Sequence, residues 1–124
     1  MIDWNQIKHF ARKEFGHAPG VEPDEALVLM LDDAREIAGI PFHITSALRS
    51  REDNLRVGGA RDSAHLTGHA VDLRAPTSRI RSQMLRALLA VGFNRIGIYP
   101  GHIHVDTSPG LPQDVVWLGG GGND

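Results

Sequence analysis

The chain has 124 residues, a formal net charge of −2 with neutral histidines, 41% hydrophobic residues and no cysteine. That length fits a single domain with its own core, and the lack of cysteine excludes disulfides and thiolate-held metal, so any metal must be bound by histidine and carboxylate. The faintly acidic balance argues against a nucleic-acid binder held by phosphate contacts, and no stretch approaches the ~20 apolar residues of a membrane span.

Taken in order, residues 3–15 predict a first helix, with Asp3 as its cap and Trp4, Ile7, Phe10 and Ala11 at helical spacing. Gly16 to Glu22 break the pattern, and His9 and His17 read as surface residues. A second helix is expected from about Pro23 to Ala38. Asp24 and Glu25 stand at its positive end, Leu27, Met30, Leu31, Ala34 and Ala38 form its apolar stripe, and Gly39 stops it. Pro41 to Ala47 reads as a strand with His43 on its outer face, Ser50 opens a short helix, and residues 55–63, with Gly58-Gly59, read as a loop.

A strand follows at Ala70-Val71-Asp72-Leu73, where alternation sets Ala70 and Asp72 on one face and Val71 and Leu73 on the other. Gly68 lets the chain turn into it. Residues 78–91 predict the third helix, capped by Ser78, with Ile80, Met84, Leu85, Leu88 and Leu89 inward and Gly92 at its end. Residues 95–99 and 103–106 then form a hairpin about Pro100-Gly101. Alternation puts His102, His104 and Asp106 on one face and Ile103 and Val105 on the core side. Val115 to Leu118 reads as an edge strand. The expected organisation is one domain over residues 1–118, a flexible glycine-rich tail over 119–124, and an α+β fold with helices packed on one face of a small, mainly antiparallel sheet.

Four of the seven histidines fall in two short stretches, residues 63–72 and 102–106. His65, Asp72 and His104 together make a set of two imidazoles and one carboxylate. Such a set suits a catalytic zinc with its fourth position left to water. Spacing alone leaves the plainer reading open, in which they are an ordinary surface histidine, a surface aspartate and a strand histidine, because the pattern is not one of the well-defined zinc motifs.

The pattern Ser63-x-His65-x-x-Gly68-x-Ala70-x-Asp72, followed by His102-x-His104, closely resembles the zinc D-Ala-D-Ala metallopeptidases. These are the peptidoglycan-cleaving members of a group that includes the lysostaphin-type peptidases and the hedgehog signalling domain. Ser46-Ala47-Leu48-Arg49-Ser50, Asn54, Gly58-Gly59 and Gly97-Ile98-Tyr99-Pro100 fit the same pattern, so the resemblance covers roughly residues 40–110.

It implies a hedgehog/DD-peptidase-like fold and Zn2+ held by His65, Asp72 and His104. It further implies that Arg49 binds a substrate carboxylate or an oxyanion, that Ser63 hydrogen-bonds the substrate, and that His102 stabilises the transition state or transfers a proton. Many relatives carry an acid three residues before the last zinc histidine as general base; here that position is Gly101. His102 is the first candidate to replace it and Asp106 a weaker one, Asp106 being better suited to hydrogen-bond a ligand histidine. His69 is not a motif position.

The resulting expectation is a D,D-carboxypeptidase or endopeptidase of bacterial peptidoglycan, of the phage lysis (endolysin) type. It would be monomeric, with the wall peptide as partner and neither nucleic acid nor membrane. The N-terminus lacks the marks of a signal peptide, so the expected location is cytoplasmic as synthesised, with action on the wall after release. The alternatives are a metal-containing binding module of the same fold without activity, and a metal-free structural domain.

Overall fold

The computed structural model describes residues 1–120, so all but the first two residues of the expected tail lie outside the described residues. Among the described residues, three α-helices, α1 (Glu25–Ala38), α2 (Arg51–Arg56) and α3 (Ser78–Ala90), accompany five strands. The strands are β1 (Ile44–Ser46), β2 (Ala70–Arg74), β3 (Arg95–Tyr99), β4 (His102–Asp106) and β5 (Val115–Leu118). They form one sheet in the order β1-β2-β4-β3-β5, antiparallel except for the β3–β5 pair. This is the α+β architecture expected from the sequence.

The two long helices form where their apolar stripes recur. In α1, Asp24 accepts the Leu27 amide at 3.1 Å, and Gly39 closes the far end in the left-handed conformation. α3 is capped one residue earlier than expected, by Thr77 rather than Ser78. Leu27, Val28, Leu31 and Ala34 of α1 and Met84, Ala87 and Leu88 of α3 pack on Val71, Leu73, Ile96, Ile103 and Val105 of the sheet. Each large aliphatic side chain so buried contributes about 1.5–3 kcal/mol. Both helices cover the same face of the sheet. The other face is left to the polar residues that alternate with this core.

The N-terminal segment departs from expectation. Residues 3–15 do not form a helix but two short 3-10 turns, Trp4–Gln6 and Arg12–Phe15, joined by extended chain. Asp32 of α1 is the physical reason. Its carboxylate accepts the amides of Lys8 and His9 at 2.9 and 2.8 Å, taking donors that a continuous helix would need. The break also lets Trp4 and Phe10 both lie against Phe15, with ring centroids 5.6 and 6.0 Å away. Helical spacing in the sequence reflected apolar content here, and tertiary contacts decided the backbone.

Gly68 joins the 3-10 turn Ala64–Thr67 to β2 with φ +79°, and a Cβ there would sit 2.2 Å from the Glu22 carbonyl oxygen. Only glycine supplies both the left-handed turn and the close approach. The described residues contain no helix long and apolar enough to cross a membrane.

Candidate metal centre

Three elements converge on the polar face of the sheet. Asp72 on β2 stands directly opposite His104 on β4 in the antiparallel register. His65 arrives from the Ala64–Thr67 turn, where the Ser63 hydroxyl accepts the His65 amide at 3.2 Å and Gly68 ends the turn. The three side chains are 0%, 5% and 3% exposed for His65, Asp72 and His104. The Oδ1 of Asp72 lies 3.3 Å from His65 Nε2 and 3.1 Å from His104 Nδ1, and one ligand atom from each of the three residues falls within 4.8 Å of the others.

The far side of each imidazole defines its tautomer. His65 Nδ1 is 2.7 Å from the Ala47 carbonyl oxygen, which can only accept, so that nitrogen carries the hydrogen. His104 Nε2 is 2.7 Å from Asp106 Oδ2, and it donates to that carboxylate. In the neutral rings the remaining nitrogens, His65 Nε2 and His104 Nδ1, then carry no hydrogen and present lone pairs, and both face a carboxylate oxygen. Three buried acceptors directed at one another repel unless a cation lies between them. Tetrahedral zinc with bonds of 2.0–2.1 Å sets its ligand atoms roughly 3.3–3.4 Å apart, close to the separations from Asp72. The donor set therefore fits a divalent cation of the zinc type, and His65, Asp72 and His104 are the residues that could hold it.

The surroundings orient these donors. Asp106 is 1% exposed. It accepts from Arg95 Nε at 2.6 Å and from the Ser108 amide at 3.1 Å as well as from His104. Burial pushes the Asp106 carboxyl up, but the hydrogen bonds from His104 and Arg95 outweigh it and hold the group below the ordinary carboxylate value. Asp106 is thus an anion committed to three donors. It occupies the role of histidine orienter, and its oxygens are not open to act as a base.

Arg49, expected at the site, is 6% exposed, and its guanidinium approaches Asp72 Oδ2 at 3.9 Å. It also donates to Asn54 Oδ1 at 3.0 Å and Ser46 Oγ at 3.1 Å, and its amide donates to the His65 carbonyl. Gly59 makes this packing possible, since a Cβ there would meet Asn54 Oδ1 at 2.1 Å. His102 lies on the same face, with its side chain 21% exposed and Nε2 3.9 Å from Asp72 Oδ1, and its ring stacks on Tyr99 at 4.5 Å. Ser63 is buried, caps the turn that carries His65, and also lines the cavity beside His104. His69 is outside the cluster, with Nδ1 2.8 Å from the Thr67 hydroxyl. Gly101 occupies the β3–β4 turn at φ +88°, and among the described residues beyond its chain neighbours nothing lies within 4 Å of where its Cβ would be.

Three residues beside the site escaped the sequence reading: Arg95, Tyr99 as a packing partner, and Trp117. Trp117 on β5 pairs with Gly97 and lies across it, with its ring centroid 5.4 Å from that of His104. A tryptophan in a short edge strand beside a strand glycine was the available signal.

The fold and the buried His-Asp-His set define an α+β protein with a candidate site for one metal ion on the polar face of its sheet. The Peptidase M15 family matches residues 6–106, and the chain belongs to that family, whose members are metal-dependent peptidases that generally use zinc. No curated protein matches the chain.

Proposed function

We propose that the chain is a zinc peptidase that hydrolyses peptide bonds of bacterial peptidoglycan, as a D,D-carboxypeptidase or endopeptidase of the phage lysis type. The observation that carries the peptidase reading is the pair of imidazole lone pairs facing the Asp72 carboxylate in a buried pocket. The wall substrate rests on the motif resemblance around Arg49, Ser63, His65 and His102.

A zinc ion held by His65, Asp72 and His104 would polarise the peptide carbonyl and acidify a water molecule to a nucleophile near neutral pH. The chain's own residues supply the rest. Arg49 carries a permanent positive charge at the edge of the cluster, on the Asp72 side, suited to a substrate carboxylate or the oxyanion that develops at the carbonyl. His102, the most exposed of the three imidazoles around Asp72 Oδ1, transfers a proton at Nε2 in place of the acid that Gly101 lacks. Its stack on Tyr99 fixes the ring plane. Ser63 holds the His65 turn and faces the cavity that receives substrate.

The second reading, a metal-containing module without activity, is favoured by Gly101 alone. Incubation of purified cell walls with and without chelator separates the two, read by turbidity for an endopeptidase and by released D-Ala for a carboxypeptidase. Chelator-sensitive clearing or D-Ala release is the expected result; stoichiometric zinc with neither supports the module. Zinc that persists in His65→Ala removes the metal assignment itself.

A further inference from the structure

The two sides of the His65–Asp72–His104 cluster differ in chemistry. Arg49 follows β1 at one edge of the sheet, and Trp117 stands on β5 at the other, with the Asp72–His104 pair between them. On the first side the Arg49 guanidinium stands 3.9 Å from Asp72 Oδ2, and Arg49 and Arg51, with Glu52, also line a groove of about 500 Å³ that none of the three proposed ligands enters. On the second side a cavity of about 300 Å³ is walled by Trp117, Tyr99, Leu111 and Ala64, and it reaches His104 and Asp106.

Two glycines make room for its aromatic wall. A Cβ at Gly97 would lie 2.6 Å from the Trp117 ring, and one at Gly119 would lie 1.9 Å from the Tyr99 ring. The two rings are tied together, Trp117 Nε1 donating to the Tyr99 hydroxyl at 3.0 Å. Arg95 is the cation on this side, and it already serves Asp106 and the Pro112 carbonyl while lying 5.2 Å from the indole centroid. A substrate carboxylate would meet Asp62 and Asp106 here and is disfavoured; an apolar group meets ring faces and methyls. Trp117 and Leu111 also lie beyond residues 6–106, the part matched by the family.

We propose that this cavity is a subsite for a small apolar side chain on the amino side of the bond that is cut, and that Trp117 sets its size. The proposal rests on the peptidase reading above: with a substrate carboxylate directed to the Arg49 side, the acyl-donating residue falls on the Trp117 side. An apolar wall that meets the substrate side chain discriminates about 10- to 200-fold per methylene-sized difference.

The test uses the zinc-loaded full chain and N-acetylated dipeptides ending in D-Ala, with D-Ala, D-Leu or D-Phe as first residue, followed by chromatography. Wild type should prefer D-Ala at the first position. Trp117→Ala should shift kcat/KM towards D-Leu by about tenfold or more, chiefly through KM. Leu111→Trp, which fills the cavity from the β4–β5 connection, should depress D-Ala turnover and abolish the larger substrates. Unchanged ratios in both variants, at full zinc content, overturn the proposal. Should Trp117→Ala fail to fold or to retain zinc, Leu111→Trp and Leu111→Ala decide it by the same ratios. Should wild type cleave no peptide, the peptidase reading fails by itself. Calorimetric binding of the same peptides then judges the cavity, and equal affinity across side-chain sizes overturns the subsite.

Discussion

Replacing Asp106 with asparagine tests the whole construction of the metal centre while changing none of the proposed ligands. In the native protein the carboxylate accepts from His104 Nε2 at 2.7 Å, from Arg95 Nε at 2.6 Å and from the Ser108 amide at 3.1 Å. Asparagine has one acceptor oxygen and one NH2 group. Arg95 and Ser108 both act on Oδ1 and both require an acceptor, so the oxygen stays with them and the NH2 group faces His104. Two donors cannot share that contact, and the imidazole answers by moving its hydrogen to Nδ1. That hydrogen then points at Asp72 Oδ1, 3.1 Å away, where the native ring offers a lone pair. His104 becomes a hydrogen-bond donor to Asp72 and ceases to be a ligand in its favoured tautomer. Loss of such an orienting carboxylate lowers metal affinity by about 10- to 100-fold, or about 1.4–2.7 kcal/mol. The metal-free protein, by contrast, keeps a hydrogen bond at every one of these contacts and should fold. Zinc affinity measured by competition with a chromophoric chelator, alongside thermal unfolding of the metal-free protein, reads the two effects separately. Wild-type zinc affinity in a folded Asp106→Asn protein would refute the tautomer argument and with it the assignment of His104 Nδ1 as a ligand.

His102→Ala should retain stoichiometric zinc and lose about 10²- to 10⁴-fold in turnover; full activity would remove His102 from proton transfer. Asp32→Ala leaves the Lys8 and His9 amides without their acceptor and should destabilise by about 1–3 kcal/mol, read by denaturant unfolding; an unchanged midpoint would sink the account of why residues 3–15 are not a helix. Gly68→Ala forces a Cβ into the Glu22 carbonyl at φ +79°. It should cost at least about 1–2 kcal/mol from the left-handed backbone alone, with a matching fall in Tm. Acid should weaken the metal-free protein through Asp106. Its carboxyl is held below its ordinary value of 3.8 in the folded state, so its contribution is complete above that value and is lost as pH falls through the native pKa. The stability gap between wild type and Asp106→Asn should therefore narrow on acidification; a gap that widens contradicts the sign.

Periodicity in the sequence was enough to locate α1, α3 and the β3–β4 hairpin, because those elements bury one regular face and the same face recurs at 3.6 or 2 residues. It also singled out His65, Asp72 and His104 by ligand chemistry, and alternation put His104 and Asp106 on one face of β4. What the sequence could not carry was anything set by contacts between elements. The Asp32 carboxylate reaches back 23 residues to divert the His9 amide, and no local pattern in residues 3–15 encodes that. The register that puts Asp72 opposite His104, the Arg95–Asp106–His104 chain that fixes a tautomer, and the indole of Trp117 laid across Gly97 all depend on strands brought together from distant parts of the chain. Ligand type is a property of single residues and can be read from one dimension; the direction of a lone pair depends on what lies on the other side of the ring, and only the folded molecule decides that.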